Sequence, residues 1–210
     1  LVNGGNFDWG NKEKFPTISG SHFALNGISF WEEFGPSALT AKIRAEGMYN
    51  FGPSLSPNNA FYILQGIETL SLRMKKHIEN TKMMLEFLKE NESVSWLRHP
   101  DLEDHPDHKI AKKILPLGSG SIIVFGIKGG RDAGKAFIEN VKLSSHLANV
   151  GDAKTLLIHP GSTTHSHLSS EAMKMSGLTD DMIRLSVGLE DIEDIKIDFE
   201  KGFKAAAKIS

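Results

Sequence analysis

The sequence has no cysteine and no surplus of positive charge. Without cysteine the chain can form neither disulfides nor thiolate zinc sites, and it has no thiol nucleophile. Its 24 basic and 26 acidic side chains give a formal net charge of −2 at pH 7. Because nucleic-acid binding requires clustered positive charge, we expect no nucleic-acid partner.

Long apolar runs are also missing. A membrane-spanning helix needs roughly 20 consecutive apolar residues, whereas the longest apolar runs, such as 121–127, have the length of a strand. The amino end has no basic region followed by an apolar block, which a secretory signal would have. We therefore expect a cytoplasmic protein that contacts no membrane. The chain begins with Leu1 rather than Met, and we expect that part of the protein precedes it.

The residues that are present suit a globular chain with a core. Of 210 residues, 40% are hydrophobic, and a chain of this length can bury roughly 70% of its unfolded surface. Residues 1–55 are rich in loops, and their aromatics follow neither a helical nor a strand period. We expect this segment to build no core of its own and to lie across another body, with one helix at 36–49.

Helices are predicted for the next segment. Ser56 is a good N-cap and Pro57 a good first helical residue. Apolar residues then recur at helical spacing as far as about Asn91. Because such a helix is long for a globular protein, we expect Gly66 to divide it into two.

The rest of the chain alternates between strands and helices. Strands are predicted at 94–96, 121–127, 155–158 and 184–189, and helices at 109–115, 132–141, 170–176 and 191–208. This alternation after an α-rich first part predicts an α/β fold with helices on a small sheet.

Arg184 and Asn149 are the first candidates for a binding site. In a strand over 184–189, Arg184 would point away from the core, and a guanidinium can bind a carboxylate with two hydrogen bonds. The alternative is a surface arginine paired with a nearby acid. Asn149 both donates and accepts beside Gly151, so its turn could face a ligand. The alternative there is an ordinary turn.

Two histidine-rich segments could suggest metal ions. His165 and His167, with His159, match no standard zinc spacing, and no Gly-x-Ser-x-Gly motif supports a serine hydrolase. We favour a polar loop that satisfies its own backbone. Residues 99–108 hold three histidines and four acids together with two prolines, and we expect a solvated surface loop. No glycine-rich motif for nucleotides is present.

Six segments, taken in order, resemble one known family. They are Gly4-Gly5-Asn6-Phe7-Asp8-Trp9, Leu55-Ser56-Pro57-Asn58-Asn59-Ala60-Phe61, Gln65-Gly66-Ile67-Glu68-Thr69-Leu70-Ser71-Leu72-Arg73-Met74, Asn149-Val150-Gly151-Asp152-Ala153-Lys154-Thr155-Leu156, His159-Pro160-Gly161-Ser162-Thr163-Thr164-His165 and Arg184-Leu185-Ser186-Val187-Gly188-Leu189-Glu190-Asp191. The series looks like the carboxy-terminal signatures of the Cys/Met-metabolism enzymes that use pyridoxal phosphate, and within them like the O-acetylhomoserine sulfhydrylase branch.

The resemblance implies a type I pyridoxal-phosphate transferase fold, an α/β fold. It implies that residues 1–55 end the large cofactor-binding domain, that 56–91 are linking helices and that 92–210 form the small carboxy-terminal domain. It also implies that Arg184 binds the substrate α-carboxylate, that Asn149 helps there, and that Thr164 lies just behind them. Pyridoxal 5′-phosphate, a small amino-acid substrate and a homo-oligomer are implied as well.

The sequence departs from the family in one respect. The lysine that holds the cofactor lies in a Ser-x-Thr-Lys type motif, which is absent here, while Lys154 belongs to the Asp-Ala-Lys turn. We expect the chain to act only with a missing amino-terminal portion, replacing the acetate of O-acetyl-L-homoserine by sulfide to give homocysteine. The alternatives are methionine γ-lyase or cystathionine γ-synthase activity, and a non-catalytic remnant that binds a partner through residues 7–51.

Overall fold

The computed structural model describes residues 4–164 and 169–209. Contacts divide the chain into two compact units, Leu1–Leu64 and Gln65–Ser210. The three segments that the family resemblance implies stay a prediction.

The first unit consists of short helices. They are α1 Pro16–Ser19, α2 Phe30–Phe34, α3 Ala38–Lys42, a π-helix Ile43–Met48 and α4 Tyr49–Phe51, with 3₁₀ turns at Phe23–Leu25 and Gly35–Ser37. Ile18, Phe30 and Ala38 are buried together, so the prediction that this segment builds no core is wrong. Helical turns bring its aromatic residues together despite their irregular spacing in the sequence.

Two long helices follow, as predicted. α5 spans Pro57–Glu68 and α6 spans Leu70–Glu90. The hydroxyl of Ser56 accepts a hydrogen bond from the backbone N–H of Asn59 at 3.2 Å, so Ser56 is the predicted cap.

The break between the two helices lies at Thr69 rather than at Gly66. Gly66 is inside α5, and the guanidinium of Arg73 donates to its carbonyl at 2.5 Å and to Thr69 Oγ1 at 3.3 Å. A carbonyl near the end of a helix lacks a partner in the helix itself. The Arg73 side chain supplies a partner from α6, and α5 can therefore end at Glu68, two residues beyond the glycine.

A five-stranded sheet forms the centre of the second unit, in the order β1-β2-β5-β4-β3. The strands are β1 Val94–Arg98, β2 Ile122–Ile127, β3 Ser145–His146, β4 Leu156–Ile158 and β5 Met182–Ser186. Neighbouring strands are antiparallel, except that β3 and β4 are parallel. The strand predicted at 184–189 begins two residues earlier and ends at Ser186. Beyond Ser186 the backbone N–H groups donate to the Thr155 hydroxyl and to isolated backbone carbonyls instead of continuing the pairing with a neighbouring strand.

Helices cover one face of this sheet. The helices that follow α6 are α7 His108–Ile114, α8 Gly130–Asn140, α9 Ser170–Met175 and α10 Ile192–Ala206. Of these, α8 and α10 pack together with α6 against the sheet. On β2, Ile123 and Phe125 enter a core shared with α8 and α10, while Ile122 and Val124 lie half-buried on the other face. The predicted α/β fold is confirmed. No helix within the described residues is long and apolar enough to cross a membrane.

Asp198 of α10 fixes the loop that follows α8. Its buried carboxylate accepts hydrogen bonds from the backbone N–H groups of Lys142 at 2.6 Å and Ser144 at 2.9 Å. Burial alone would raise the pKa of Asp198, but these backbone hydrogen bonds hold it below the ordinary 3.8. The carboxylate therefore stabilises the fold at neutral pH, and this contribution is lost as the pH falls through the lowered pKa.

Packing between α8 and α10 makes Gly202 sensitive to a methyl group. A Cβ at Gly202 would lie 2.6 Å from Cδ2 and 3.0 Å from the carbonyl oxygen of the fully buried Phe137. We expect Gly202→Ala to lower the free energy of unfolding by about 1–3 kcal/mol in urea titrations, because overpacking exceeds the gain in helix propensity.

Gly66→Ala is the matched control for this substitution. A Cβ at Gly66 has open space in α5, so this variant should keep or raise the unfolding free energy, by at most about 1 kcal/mol. Equal effects of the two substitutions would contradict the packing of α10 on Phe137.

Candidate functional site

Arg184 lies in the middle of β5, on the face of the sheet opposite α8 and α10. Its register partners are Val124 on β2 and Ile158 on β4, and directly opposite residues point to the same face. These three residues border a cavity of about 390 Å³ with largely apolar walls. Arg184 thus points away from the core, as the strand alternation predicts.

The guanidinium of Arg184 has few partners. Its Nη2 donates to the backbone carbonyl of Asn149 at 3.3 Å, and within the described residues it forms no ion pair. Among these residues Arg184 is therefore not paired with a neighbouring acid, as the alternative interpretation requires. A guanidinium carries five donors in a fork that matches a carboxylate.

Asn149 is brought next to Arg184, but through its backbone. Its exposed side chain turns back into its own loop, where Oδ1 accepts from the N–H of Val150 at 2.9 Å and Nδ2 donates to Asp152 at 3.4 Å. Gly151 has a φ of +72°, which glycine adopts without strain. The predicted side-chain contact of Asn149 with a carboxylate stays a prediction.

The segment that contains Thr164 leaves β4 through a 3₁₀ turn at Pro160–Ser162. Thr163 Oγ1 donates to the carbonyl of His159 at 2.9 Å, and Thr164 is an exposed turn residue. Its predicted place behind the carboxylate site stays a prediction. His165 and His167 lie outside the described residues.

His159 is a structural residue in this fold. Its Nε2–H donates to the carbonyl of Asp180 at 2.7 Å, and Nδ1 accepts from the hydroxyl of Ser162 at 2.9 Å. Burial lowers the pKa of His159, which keeps the ring neutral at pH 7. Both ring nitrogens are thus occupied. Among the described residues no group of three His, Cys, Asp or Glu could hold a metal ion.

The loop at 99–108 forms a wall of the site. His99 is buried, and its Nδ1 accepts from the backbone N–H of Asp101 at 3.1 Å, whereas Asp104 and Asp107 are exposed. This loop borders both the cavity at Arg184 and an adjoining groove of about 800 Å³. The solvated loop that the sequence suggests is thus anchored by a buried histidine at its start.

A buried polar network attaches α6 to the chain that follows β5. The Nδ1–H of His77 donates to the carbonyl of Val187 at 2.7 Å, and Nδ2 of Asn80 donates to the carbonyls of Gly188 at 3.0 Å and Glu190 at 2.9 Å. Both side chains are almost completely buried. Sequence reasoning missed them, although two polar residues on the apolar face of a helix are a signal that could have revealed them.

Glu190 completes this network on the other side. Its carboxylate accepts the backbone N–H of Thr155 at 2.7 Å and the Thr155 hydroxyl at 2.8 Å, and the same hydroxyl accepts from the N–H of Gly188 at 2.9 Å. A Cβ at Gly188 would overlap both Glu190 Oε2 and the backbone of Thr155. Glu190 thus holds the segment after Arg184 against the segment after Asn149.

The chain is similar to known proteins over almost its whole length. A family model described as Cys/Met metabolism PLP-dependent enzyme matches residues 5–204. The chain belongs to this family. Relatives include the sulfhydrylase FUB7 of Fusarium oxysporum, 43% identical over 98% of the chain, and O-acetyl-L-homoserine sulfhydrylase 1 of Thermus thermophilus, 43% identical over 96%. The chain spans 48% of the length of each, about half.

Solved structures of the family show the same fold. A Campylobacter jejuni protein described as an O-acetylhomoserine (thiol)-lyase superposes with a TM-score of 0.78 at 28% identity, over 92% of this chain and 46% of its own. It carries N′-pyridoxyl-lysine-5′-monophosphate. A cystathionine gamma synthase of Xanthomonas oryzae superposes with a TM-score of 0.71 at 31% identity, over 83% of this chain and 43% of its own. The predicted family and fold class are both confirmed.

The network predicts a specific effect of replacing Glu190 in this member of the family. Glu190→Gln places an amide N–H₂ group where a donor of Thr155 needs an acceptor. Because Thr155 is buried, this donor is left unpaired away from water. We expect the free energy of unfolding to fall by about 1–3 kcal/mol in urea titrations.

Glu200→Gln is the matched control, because Glu200 is exposed and lies 3.9 Å from Lys204. An exposed pair of this kind contributes little, so the change should stay below about 1 kcal/mol. A loss in Glu190→Gln no larger than in the control would contradict the role of Glu190 in the network.

Proposed function

We propose that this chain is the carboxy-terminal part of an O-acetyl-L-homoserine sulfhydrylase and that Arg184 binds the substrate α-carboxylate, with Asn149 beside it and Thr164 behind. The observation that carries the proposal is a guanidinium without a described acidic partner, facing a cavity with apolar walls. The family and the names of its sulfhydrylase relatives support the proposed reaction, the replacement of acetate by sulfide.

The cavity suits the carboxylate of an amino acid, and its described lining residues offer no amine for the cofactor. No lysine is among its described lining residues, and Lys154 is an exposed turn residue whose N–H donates to Asp152 at 3.0 Å. The amino-terminal portion would therefore hold pyridoxal 5′-phosphate through its lysine. That cofactor withdraws electrons from the bound amino acid. The part of this chain is to orient the substrate by two hydrogen bonds to its carboxylate.

Several wider properties belong to the same proposal. We infer that the complete enzyme is a cytoplasmic homo-oligomer that joins this chain to an amino-terminal portion. A sister activity such as cystathionine γ-synthesis is the second candidate, favoured by the similarity to the Xanthomonas structure. Assays of the complete enzyme with sulfide, cysteine and water as the second reactant separate these activities.

Replacing Arg184 tests the carboxylate role. In the complete enzyme, Arg184→Gln removes both hydrogen bonds to the carboxylate, and bonds to a charged group are each worth about 1.5–3 kcal/mol. We expect kcat/KM for O-acetyl-L-homoserine to fall about 100-fold or more, with the KM for sulfide unchanged.

Lys113→Gln serves as the control for lost charge, because Lys113 is an exposed residue of α7 outside the cavity lining. It should leave both constants unchanged. Full activity of Arg184→Gln would show that another group binds the carboxylate.

The missing portion has a candidate contact surface on α5. No residue of this helix is buried, and its large apolar side chains are half or more exposed: Phe61 58%, Tyr62 71%, Ile63 52%, Leu64 58% and Ile67 57%. Apolar side chains that are clustered and exposed in this way mark an interaction surface. Because the chain spans about half of its relatives, we infer that the amino-terminal portion covers α5.

Charged substitutions on α5 test this contact. Ile63→Glu should reduce co-purification of a separately tagged amino-terminal portion, since burying the new carboxylate is costly. Asn58→Glu places the same charge in the polar first turn of the helix and should have no effect. If Ile63→Glu instead dissociates copies of this chain while co-purification persists, α5 contacts a second copy and the inference is wrong.

A further inference from the structure

A second arginine shares the cavity with Arg184. Arg98 of β1 pairs with Val124, which pairs with Arg184 on its other side. Residues directly opposite in antiparallel strands point to one face, so Val124 stands between two arginine side chains. With neighbouring strands roughly 4.8 Å apart, the Cα atoms of the two arginines are separated by about 10 Å. Both arginines line the cavity of about 390 Å³.

The ionisable groups around this cavity are otherwise imidazoles. His99 and His105 are its other titratable lining residues, and no Asp or Glu is among the described residues that line it. Burial lowers the pKa of His99, so that ring is neutral at pH 7. Asp104 and Asp107 line the adjoining larger groove instead. The two guanidiniums are therefore the groups among the described lining residues that are charged at every physiological pH.

Arg98 is held in place by an aromatic ring. Its guanidinium carbon lies 5.6 Å from the ring centroid of Trp96, within the range of a cation–π contact. The indole N–H of Trp96 donates to Asp181 Oδ2 at 2.9 Å, which fixes the ring. Within the described residues Arg98 forms no ion pair. Arg98 is exposed and, like Arg184, has no acidic partner among these residues.

We propose that Arg98 is a second anion-binding residue and that the cavity binds amino acids with a second carboxylate at the far end of the side chain. The inference rests on the proposed function, because Arg184 binds the α-carboxylate while Arg98 meets the distal one. An amino acid with a neutral side chain uses Arg184 alone.

Suberate and its monomethyl ester test this proposal on the full chain. Extended suberate, an eight-carbon dicarboxylate, is comparable in length to the distance between the arginines, and the ester differs from it by a single anionic charge. In isothermal titration calorimetry we expect suberate to bind about tenfold more tightly than the ester, because a second guanidinium makes charge-assisted hydrogen bonds. Equal binding of the two, or none, would overturn the proposal.

Three variants assign the effect to residues. Arg98→Gln should abolish the preference for suberate and leave the affinity for the ester unchanged, whereas Arg184→Gln should weaken the binding of both. Lys113→Gln should alter neither, and thermal unfolding checks that each variant is folded. A preference for suberate that survives Arg98→Gln contradicts the second anion-binding residue. An ester affinity that survives Arg184→Gln contradicts the proposed function instead.

Discussion

The geometry of the site depends on the hydrogen bonds that the carboxylate of Glu190 accepts. The ladder of β5 ends at Ser186, so the backbone groups that follow need other partners. Glu190 accepts both donors of Thr155, and Thr155 accepts the N–H of Gly188. The chain after Arg184 is thereby fixed to the chain after Asn149, and the guanidinium meets a carbonyl from that second segment. A backbone hydrogen bond from the N–H of Leu189 to the carbonyl of Ala153 at 2.8 Å joins the same two segments.

Helix α6 reaches the same point from the opposite side. Its buried face carries His77 and Asn80, whose hydrogen bonds end on the carbonyls of residues 187–190. These carbonyls follow the last strand directly, so a shift of α6 would displace the end of β5 as well. The helix before the sheet therefore takes part in positioning Arg184, although it contributes no residue to the cavity.

Local patterns predicted much of the fold, because each depends on neighbours in sequence. The cap at Ser56, the amphipathic α10 and the alternation in β2 are local features of this kind. The network of Glu190, Thr155 and His77 could not be predicted in this way, since its hydrogen bonds join residues that are 33 to 110 positions apart in the chain. The core of the first unit was missed for the same reason, because its aromatic residues follow no period.

For Arg184 itself, alternation predicted the face of the sheet but not its surroundings. A charged group that is half-buried without an ionic partner is unfavourable for folding, and such groups persist where a ligand completes them. Here the described lining residues of the cavity supply apolar walls and two guanidiniums, and no lysine is among them. That combination is the one the proposed function requires, because guanidiniums bind a carboxylate but cannot form a covalent bond with an aldehyde. Under that proposal this chain orients the amino acid, and the amine that holds the cofactor belongs to the amino-terminal portion.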